Sequence, residues 1–419
     1  MKTEFFIIPK SNNDEFMIYA PLKRALFSVD LDMKNLVEDY IFRSKPIPKE
    51  FSKLRNNIQL IEEKENTLLG DKNDTINKSH IVILLSEKCN LNCSYCYSQE
   101  GRSKIVLKQE YIKAIVDNGI SSTSEGKLEV TFLGGGDPTY TWELLVWSVK
   151  YIKQRAAEKN ISTRIGIATN MTLLNEDRVQ FIKDNNIIVS ASYDILPDIQ
   201  DSQRKFACSN SSTFSVVDKN IKLLMEHGVI PRIRSTITEL NVQRMSEMIE
   251  FVAENYPRIE HVHLEHVSSS NKADTYYEDF IENYFEARDI AIRKNIKLSN
   301  SIIKSTQYIR NVFCSGEFCI TPVGDIVSCH RISNRNDKFY NFVNYGCVDD
   351  EITINNTKLK KVKKQIYSIP EKCDTCFAKY HCAGGCPYNR YTLSENDFSK
   401  YCKFTQSMMA MYFEKVLQK

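Results

Sequence analysis

Cys89, Cys93 and Cys96 lie close together in the stretch CNLNCSYC, directly after the apolar run 81–85. Three thiolates on one short loop can ligate three irons of a cubane [4Fe–4S] cluster and leave the fourth iron without a protein ligand. A metal position that the protein leaves open is typical of a site that acts on a substrate. A zinc site is the alternative, although zinc prefers four ligands that often come as CxxC pairs.

A second group of cysteines lies towards the C-terminal end of the chain. It consists of Cys314, Cys329, Cys373, Cys376, Cys382, Cys386 and Cys402. A zinc ribbon is the alternative here, but a ribbon needs only four cysteines. The total of 13 cysteines is odd, and the N-terminus lacks the sustained apolar segment of a signal peptide. We therefore expect a cytoplasmic protein whose clustered thiols are reduced and bind metal.

Alternating strands and helices must position the first cysteine group. Strands are predicted at 81–85, 128–133, 164–168, 187–193, 231–238 and 261–267. Helices are predicted between and after them at 108–119, 142–157, 175–184, 216–227, 243–255 and 276–294. Six strand–helix units indicate an α/β fold whose parallel sheet curls into a full or partial barrel. In such barrels the loops at the carboxyl ends of the strands carry the chemistry, and CNLNCSYC lies in one of them.

The sequence pattern predicts three domains. Residues 1–78 form a small α+β domain, with strands at 5–8, 16–20 and 25–30 before helices at 31–42 and 47–63. Residues 79–300 form the alternating region. Residues 301–419 are rich in cysteine and poor in regular periodicity, and a small domain of that kind usually needs metal to fold.

The composition excludes several classes of protein. Hydrophobic residues make up 42% and charged residues 26% of the chain, which is typical of a soluble globular protein and not of a disordered one. No apolar run approaches the ~20 residues that span a bilayer. The net charge of +3 is too close to zero to favour nucleic acid or an anionic membrane as a partner.

CNLNCSYC resembles the CxxxCxΦC loop of the radical S-adenosylmethionine (radical SAM) superfamily, with Tyr95 as the aromatic residue. The resemblance implies a partial (β/α)6 barrel in which the three cysteines hold a [4Fe–4S] cluster. The open iron would bind the amino and carboxylate groups of SAM, and Tyr95 would lie near the adenine. LGGGDP resembles the GGEP motif of the family, whose backbone receives the SAM amino group. The corresponding residues are Gly134, Gly135, Gly136 and Asp137, the last in place of Glu.

Two later segments resemble further landmarks of the family. ATNMTLL is similar to TNGTLL, with Met171 where the family has Gly. SASYDILPDIQDSQR is similar to SLDGxxxxHDxxR, with Gln200 at the His position. The resemblance implies that SAM is also contacted by Asn170, Ser192, Asp194, Thr213 and Arg234. Thr213 and Arg234 would reach its carboxylate.

The C-terminal cysteines match the SPASM domain, an extension of radical SAM enzymes that holds two auxiliary [4Fe–4S] clusters. The resemblance implies that the ligands of the distal cluster are Cys373, Cys376, Cys382 and Cys402. For the proximal cluster it implies Cys314, Cys329 and Cys386, with Cys319 as the candidate fourth ligand. The alternative role of Cys319 is that of a buried hydrophobe. Cys208 and Cys347 are then free structural thiols.

The resemblance also implies an activity. SAM would be cleaved reductively to methionine and a 5′-deoxyadenosyl radical, which abstracts hydrogen from an unactivated C–H bond. Flavodoxin or ferredoxin is expected as the electron donor. We expect a maturase that acts on a ribosomally made precursor peptide with a leader sequence. It would install a thioether or carbon–carbon crosslink, or alter a side chain in another way.

Alternatives remain for the substrate and for the N-terminal region. Residues 1–78 resemble the winged-helix-like region of peptide maturases, to which a leader binds as an added strand. A cap without a binding function is the alternative. An anaerobic sulfatase maturase, which forms formylglycine, is the second candidate enzyme. That family has an acid directly after the cysteine at the position of Cys329, where this chain has His330. A non-catalytic iron–sulfur carrier does not explain the three-cysteine loop together with GGGDP.

Overall fold

A computed structural model describes residues 4–12, 14–69, 76–99, 102–268, 272–273 and 275–418 of the protein. The N-terminal region consists of β1 (Phe6–Pro9), β2 (Glu15–Ala20), β3 (Ala25–Asp30), α1 (Leu31–Arg43) and α2 (Ser52–Glu63). Its three strands are antiparallel, with β2 in the middle. Asp30 begins α1, because its carboxylate accepts a hydrogen bond from the Met33 N–H at 2.8 Å. Ile18, Val37 and Leu54 lie in its buried apolar core. This confirms the α+β character of the region.

Strands and helices then alternate. The strands are β4 (His80–Ile83), β5 (Leu91–Cys93), β6 (Lys127–Phe132), β7 (Ser162–Thr169), β8 (Ile188–Ser192), β9 (Arg204–Phe206), β10 (Arg232–Ile237), β11 (His261–His266) and β12 (Lys297–Ser299). The helices are α3 (Gln109–Ser122), α4 (Trp142–Glu158), α5 (Glu176–Asp184), α6 (Pro197–Gln203), α7 (Thr213–Glu226), α8 (Met245–Asn255), α9 (Tyr276–Arg293) and α10 (Ser301–Ser305). All six predicted strand–helix units are present.

The remaining elements are short except for two helices. The strands are β13 (Phe318–Ile320), β14 (Asp325–Val327), β15 (Asn344–Val348) and β16 (Ile352–Ile354). The helices are α11 (Tyr340–Val343), α12 (Asn356–Tyr367), α13 (Lys379–Cys382), α14 (Pro387–Thr392) and α15 (Glu395–Leu417). Turns of 3₁₀ helix lie at Pro21–Lys23, Lys49–Phe51, Pro138–Thr141, Val242–Arg244 and Glu371–Cys373. No helix in the described part of the chain is long and apolar enough to cross a membrane.

One sheet runs through the alternating region in the order β12-β11-β10-β8-β7-β6-β4-β13-β14-β15-β16. The strands from β12 to β4 are parallel, and β13 adds to β4 in the same direction. From β13 onwards the strands are antiparallel. Because β12 and β4 do not pair in the described residues, the sheet stays open, and the barrel is partial as expected.

Packing divides the chain into two compact units. The first unit comprises Met1–Lys72, Asn300–Cys314 and Tyr367–Lys419, and the second comprises Asn73–Ser299 and Ser315–Ile366. Strands β13–β16 therefore belong with the parallel strands, whereas the last two segments of the first unit pack with the N-terminal region. These units differ in outline from the three predicted domains, whose limits stay a prediction.

The first unit joins β2 to the segment between two of the C-terminal cysteines. The hydroxyl of Tyr19 donates a hydrogen bond to His381 Nε2, and His381 Nδ1 lies 2.8 Å from the Tyr308 carbonyl. Burial lowers the pKa of His381, which keeps the ring neutral and suits one donor and one acceptor nitrogen. Phe413 of α15 packs against the Tyr19 ring at 4.8 Å. The N-terminal sheet is thus anchored on α13 and α15.

Tyr19→Phe should lower the free energy of unfolding of the first unit. The change leaves the buried Nε2 atom of His381 without a donor, which costs about 1–3 kcal/mol. Chemical denaturation followed by circular dichroism measures the loss. Tyr140→Phe is the matched control, since Tyr140 is 45% exposed. Equal stability of the two variants would contradict this role of the Tyr19 hydroxyl.

Candidate functional site

The three-cysteine loop follows β4 and is held at its middle by β5. Strand β5 pairs antiparallel with β9, and the pairing sets Cys93 opposite Arg204. The N–H of Ser94 donates to the Gln203 carbonyl at 2.9 Å. The loop is therefore fixed by the segment that follows β8, more than a hundred residues later in the sequence.

The three thiols are close enough for their charges to interact. Burial raises the pKa of Cys93 to about 11; Cys96 and Cys89 add to the rise, and the Arg204 guanidinium opposes it. Arg102 Nη2 lies 2.9 Å from Cys96 Sγ and donates to it. Guanidinium groups beside thiols favour the thiolate form, which is the form that ligates iron.

The donor set fits a cubane cluster. No three His, Cys, Asp or Glu side chains of the described ranges converge as the ligands of one metal ion do. In a cubane cluster each thiolate ligates a different iron, so the sulfurs surround the cluster instead of meeting at one point. Three neighbouring thiols with two guanidinium groups beside them are consistent with the predicted cluster, which stays a prediction.

The glycine loop after β6 packs against the segment directly before Cys89. The N–H of Gly136 donates to the Ser86 carbonyl at 2.9 Å. A Cβ atom on Gly136 would lie 2.0 Å from the Lys88 carbonyl oxygen, so no other residue fits there. The two preceding glycines have φ of 85° and 65°, in the left-handed region. The glycines thus bring the loops after β4 and β6 into direct backbone contact.

The side chain of Asp137 binds the loop after β7. It is 4% exposed, and its carboxylate accepts hydrogen bonds from the Asn170 N–H at 2.6 Å and from the Thr169 hydroxyl at 3.0 Å. Burial raises the pKa of Asp137, and these hydrogen bonds oppose the rise. The side chain of Asp137 therefore positions a neighbouring loop. A contact between SAM and its backbone stays a prediction.

Asn170 lies beside the first cysteine. Its Nδ2 atom is 3.7 Å from Cys89 Sγ and 3.0 Å from Asn90 Oδ1. Met171, where the related motif has Gly, has a φ of 68°. A non-glycine residue in that conformation costs roughly 1–2 kcal/mol. Two contacts offset this cost: the Met171 side chain is fully buried, and its carbonyl accepts a hydrogen bond from Asn220 Nδ2 at 2.8 Å.

A buried carboxylate, that of Asp194, joins the cysteine loop to the ends of β8 and β10. It accepts hydrogen bonds, at 2.5–3.1 Å, from Tyr95 Oη, Gln203 Nε2, Arg204 Nε, Ser235 Oγ and the Thr236 N–H. The Arg204 guanidinium also stacks on the Tyr95 ring at 5.3 Å. These five donors occupy both oxygens of the Asp194 carboxylate. The observed role of Asp194 is therefore to position Tyr95. The expected contacts of Asp194 with SAM and of Tyr95 with the adenine stay predictions.

The other expected SAM contacts differ in exposure. Thr213 is 1% exposed, and its hydroxyl donates to Asp201 Oδ1 at 3.1 Å. Arg234 is exposed on β10, and no carboxylate of the described chain pairs with its guanidinium. Ser192 pairs in register with Arg234. A guanidinium without an acidic partner suits the role of binding the carboxylate of a ligand.

Tyr97 is a site residue that the sequence analysis missed. Tyr97 is 46% exposed as a residue, and partial desolvation by the surrounding chain raises its pKa to about 12; Arg331 opposes the rise, whereas Cys96 and Cys329 add to it. The Arg331 guanidinium lies 5.2 Å from the centre of the ring. Tyr97 therefore lies between the first cysteine group and Cys329. Its place directly after Cys96 is the signal that could have identified it.

The predicted distal ligands come together within the first unit. Burial raises the pKa of Cys382 to about 12, and the thiols of Cys402, Cys376 and Cys373 add to the rise. Gln406 Nε2 lies 3.3 Å from Cys376 Sγ and donates to it. The thiols reach this place from a 3₁₀ turn, from α13 and from α15. These four thiols are neighbours, as the predicted ligand set requires, and the set itself stays a prediction.

The predicted proximal ligands are distributed over both units. Cys314 and Cys386 belong to the first unit, and Cys329 belongs to the second. Cys319, the candidate fourth ligand, lies on β13 with 0% exposure among apolar side chains of β4 and β14. Burial raises the pKa of its thiol well above the usual range. This packing favours the alternative role of Cys319, that of a buried hydrophobe.

His330 is paired with a carboxylate. The ring atom Nδ1 of His330 lies 2.8 Å from Glu317 Oε1, and the backbone N–H of His330 donates a hydrogen bond to Glu317 Oε2 at 2.7 Å. The pKa of Glu317 is lowered: burial acts in the opposite direction, but His330 outweighs it. A Cβ atom on Gly134 would lie 3.0 Å from the His330 carbonyl oxygen. The His330–Glu317 pair is thus next to the glycine loop.

Asp194→Asn should destabilise the second unit strongly. The amide keeps the shape but leaves the buried Arg204 guanidinium without its charge partner, and breaking such a pair costs about 3–5 kcal/mol. Chemical denaturation measures the loss. The matched control is Asp198→Asn, because Asp198 is 64% exposed in its ion pair with Arg244. An exposed pair contributes about 0–1 kcal/mol. If both variants lost the same stability, Asp194 would not be the central anchor.

Comparison with known proteins agrees with this geometry. Residues 83–254 match the model of the Radical SAM superfamily. The cysteine-type anaerobic sulfatase-maturating enzyme of Clostridium novyi is 24% identical over 379 residues, which cover 81% of this chain and 96% of that protein. The antilisterial bacteriocin subtilosin biosynthesis protein AlbA of Bacillus subtilis is 26% identical over 185 residues, covering 41% of this chain and 36% of that protein.

Two solved structures share the fold. The structure of native anSMEcpe with bound AdoMet and Cp18Cys peptide has a TM-score of 0.68 at 18% identity and covers 81% of this chain and 98% of its own. Streptococcus suis SuiB bound to S-adenosylmethionine has a TM-score of 0.51 at 17% identity and covers 92% of this chain and 95% of its own. These likenesses show the fold; the superfamily match shows that residues 83–254 form a radical SAM domain and, with the sulfatase-maturase relatives, indicates an iron–sulfur enzyme.

Proposed function

We propose that this enzyme is a maturase that modifies a ribosomally made precursor peptide, installing a thioether or carbon–carbon crosslink or another side-chain change. The N-terminal sheet carries the proposal. Within the described residues its outer strands β1 and β3 each pair with one strand, and a leader peptide can add to such an edge as a further strand. The likeness to SuiB extends over 92% of this chain, whereas that to the sulfatase-maturase structure extends over 81%.

The N-terminal region also offers an apolar anchor point. Phe42 is 76% exposed at the end of α1. It borders a shallow, open groove of about 380 Å³ whose lining residues, among them Leu36, Asp39 and Arg43, all lie on α1. An exposed aromatic ring beside mixed charges is suited to hold an extended or helical peptide.

The residues around the three-cysteine loop have separate roles in the proposed reaction. When bound, a reduced [4Fe–4S] cluster and SAM supply a radical that takes hydrogen from the substrate. Cys89, Cys93 and Cys96 would hold the cluster, and Arg234 would bind the SAM carboxylate. Asp194 and Asp137 fix the loops that carry these groups, which keeps the reacting atoms in place. Flavodoxin or ferredoxin is the proposed electron donor.

An anaerobic sulfatase maturase is the second candidate. The relative from Clostridium novyi is matched over 96% of its length. The acid expected directly after Cys329 is absent, but the Glu317 carboxylate pairs with His330 at 2.8 Å. The pair could take the proton that the missing acid would accept in such an enzyme.

Anaerobic reconstitution should give about 12 irons per chain, as one SAM-binding and two auxiliary cubane clusters imply. Cys89→Ala and Cys382→Ala should each lose about four irons, because each removes a ligand of a different cluster. Cys208→Ala is the matched control, since Cys208 is exposed and outside both groups. Iron and sulfide analysis measures the content. About four irons in the unsubstituted protein would contradict the auxiliary clusters.

Reconstituted enzyme with SAM and dithionite should modify a precursor peptide and not the Cp18Cys peptide. The precursor probes are short peptides encoded next to the gene. Mass spectrometry detects a crosslink as the loss of two hydrogens. Conversion of the Cp18Cys peptide alone would favour the sulfatase-maturase function. Conversion of neither peptide, with SAM cleavage intact, would contradict the proposed function.

Phe42→Ser tests whether the groove on α1 binds the precursor peptide without taking part in SAM cleavage. It should weaken binding of the precursor peptide, measured by fluorescence anisotropy, and leave SAM cleavage unchanged. Leu68→Ser is the matched control, because Leu68 is 89% exposed and outside the groove. Equal affinity of the Phe42 variant and the unsubstituted protein would exclude the groove as the peptide site.

A further inference from the structure

Glu265, His263 and Ser299 form a connected row of polar groups on β11 and β12. Glu265 Oε2 lies 2.7 Å from His263 Nε2, and His263 Nδ1 lies 2.9 Å from Ser299 Oγ. His263 and Ser299 are partners in the parallel pairing of the two strands. We call these three residues the polar row.

The polar row lies on the face of the sheet that faces away from the main core. Along β11 the residues Val262, Leu264 and His266 are buried, whereas His263 and Glu265 between them are only partly buried. Arg234 on β10 pairs in register with His263, and Ser192 on β8 pairs with Arg234. Ser192, Arg234, His263 and Ser299 are therefore successive partners across four neighbouring strands. Arg234 is the residue expected to bind the SAM carboxylate, so the polar row lies beside it on the same face of the sheet. Glu265 is near the carboxyl end of β11, the end where the catalytic loops lie.

The hydrogen-bond pattern gives the row a direction. The pKa of Glu265 is well below its usual range: burial opposes the shift, and contacts with His263 and His266 outweigh it. An ionised carboxylate only accepts hydrogen bonds, so His263 Nε2 carries the proton. Nδ1 then has a lone pair that faces Ser299 Oγ at 2.9 Å, nearer than the Val262 carbonyl, to which the same hydroxyl can donate at 3.3 Å. Carboxylate, imidazole and hydroxyl are thus arranged to draw a proton away from the serine oxygen.

Charged and titratable groups surround His263 from several elements. On its own strand they are His261, Glu265 and His266, the last with Nδ1 3.0 Å from Glu265 Oε1. On the neighbouring strands they are Arg232, Arg234 and Lys297. Helix α9 contributes Tyr276, whose hydroxyl donates to the Ile237 carbonyl at 2.6 Å. Glu265 directly contacts the ring and can balance the charge of a protonated His263.

We propose that the polar row accepts the proton that the substrate loses when its new bond forms, which rests on the proposed maturase function. The substrate X–H bond breaks heterolytically, and the electron pair stays on X. Ser299 Oγ takes this proton while its own proton passes to His263 Nδ1. The resulting imidazolium is balanced by the Glu265 carboxylate. The step moves a proton only; the electron released in crosslinking passes to the iron–sulfur clusters proposed above.

The test uses the reconstituted full-length enzyme and the precursor peptide that it modifies. His263→Ala should lower the rate of crosslinking by roughly 10²-fold or more, the range of general base catalysis. Formation of 5′-deoxyadenosine from SAM should stay near its usual rate, and added imidazole should restore part of the crosslinking. His261→Gln is the matched control, because His261 lies on the same strand and face, two positions earlier.

Glu265→Gln gives a second test that keeps the side-chain shape. The amide cannot balance the charge of an imidazolium, so the rate of crosslinking should fall while formation of 5′-deoxyadenosine from SAM stays near its usual rate. The proposal is wrong if His263→Ala forms product at the usual rate, if His261→Gln is equally impaired, or if Glu265→Gln crosslinks at the usual rate. If the unsubstituted enzyme modifies no peptide, the proposed function fails and this proposal fails with it.

Discussion

The buried carboxylate of Asp194 is the constraint on which the candidate site depends. It contacts Tyr95 from the cysteine loop, Arg204 from β9 and the backbone of β10. A charge without water is unfavourable unless donors surround it closely, so each of these groups must take one position. Because β9 also pairs with the cysteine loop, Arg204 fixes that loop twice, through its backbone and through its side chain.

Asp137 is a second buried carboxylate that holds a neighbouring loop by hydrogen bonds, here the loop after β7. Its carboxylate holds the backbone of Asn170 after β7, while the neighbouring Gly136 lies against the segment before Cys89. Five strands, β4, β6, β7, β8 and β10, are therefore linked near their ends by two carboxylates and one glycine contact. The chemistry proposed here has to keep a reactive species close to one C–H bond, and a rigid frame provides that precision. The strain at Met171 belongs to the same frame, because burial and Asn220 hold its backbone.

The regular elements could be predicted from sequence because their periodicity is local. All six strand–helix units follow from patterns within a few residues of each element. Strands β13–β16 have three to five residues each, too few to show a period, so their place beside β4 appears only in the structure. The polar row was missed for a related reason: HVHLEHV predicts a strand, but the partner Ser299 comes from another strand. Asp194 was expected to contact SAM, whereas its many donors become visible only when distant segments pack.

The N-terminal region contacts the segment directly before Cys382, so deleting this region would also disturb the proposed distal cluster. Glu4 contacts Lys379 at 3.1 Å and the Tyr380 hydroxyl at 2.6 Å, and the next residue, His381, binds Tyr19. Three consecutive residues before Cys382 are therefore held by the N-terminal segment. Removing that segment would expose a buried histidine next to a proposed cluster ligand, and loss of iron would then be confused with loss of peptide binding. The Tyr19–His381 contact joins β2 to α13, so a peptide that added to the N-terminal sheet as proposed would lie in the same unit as Cys382.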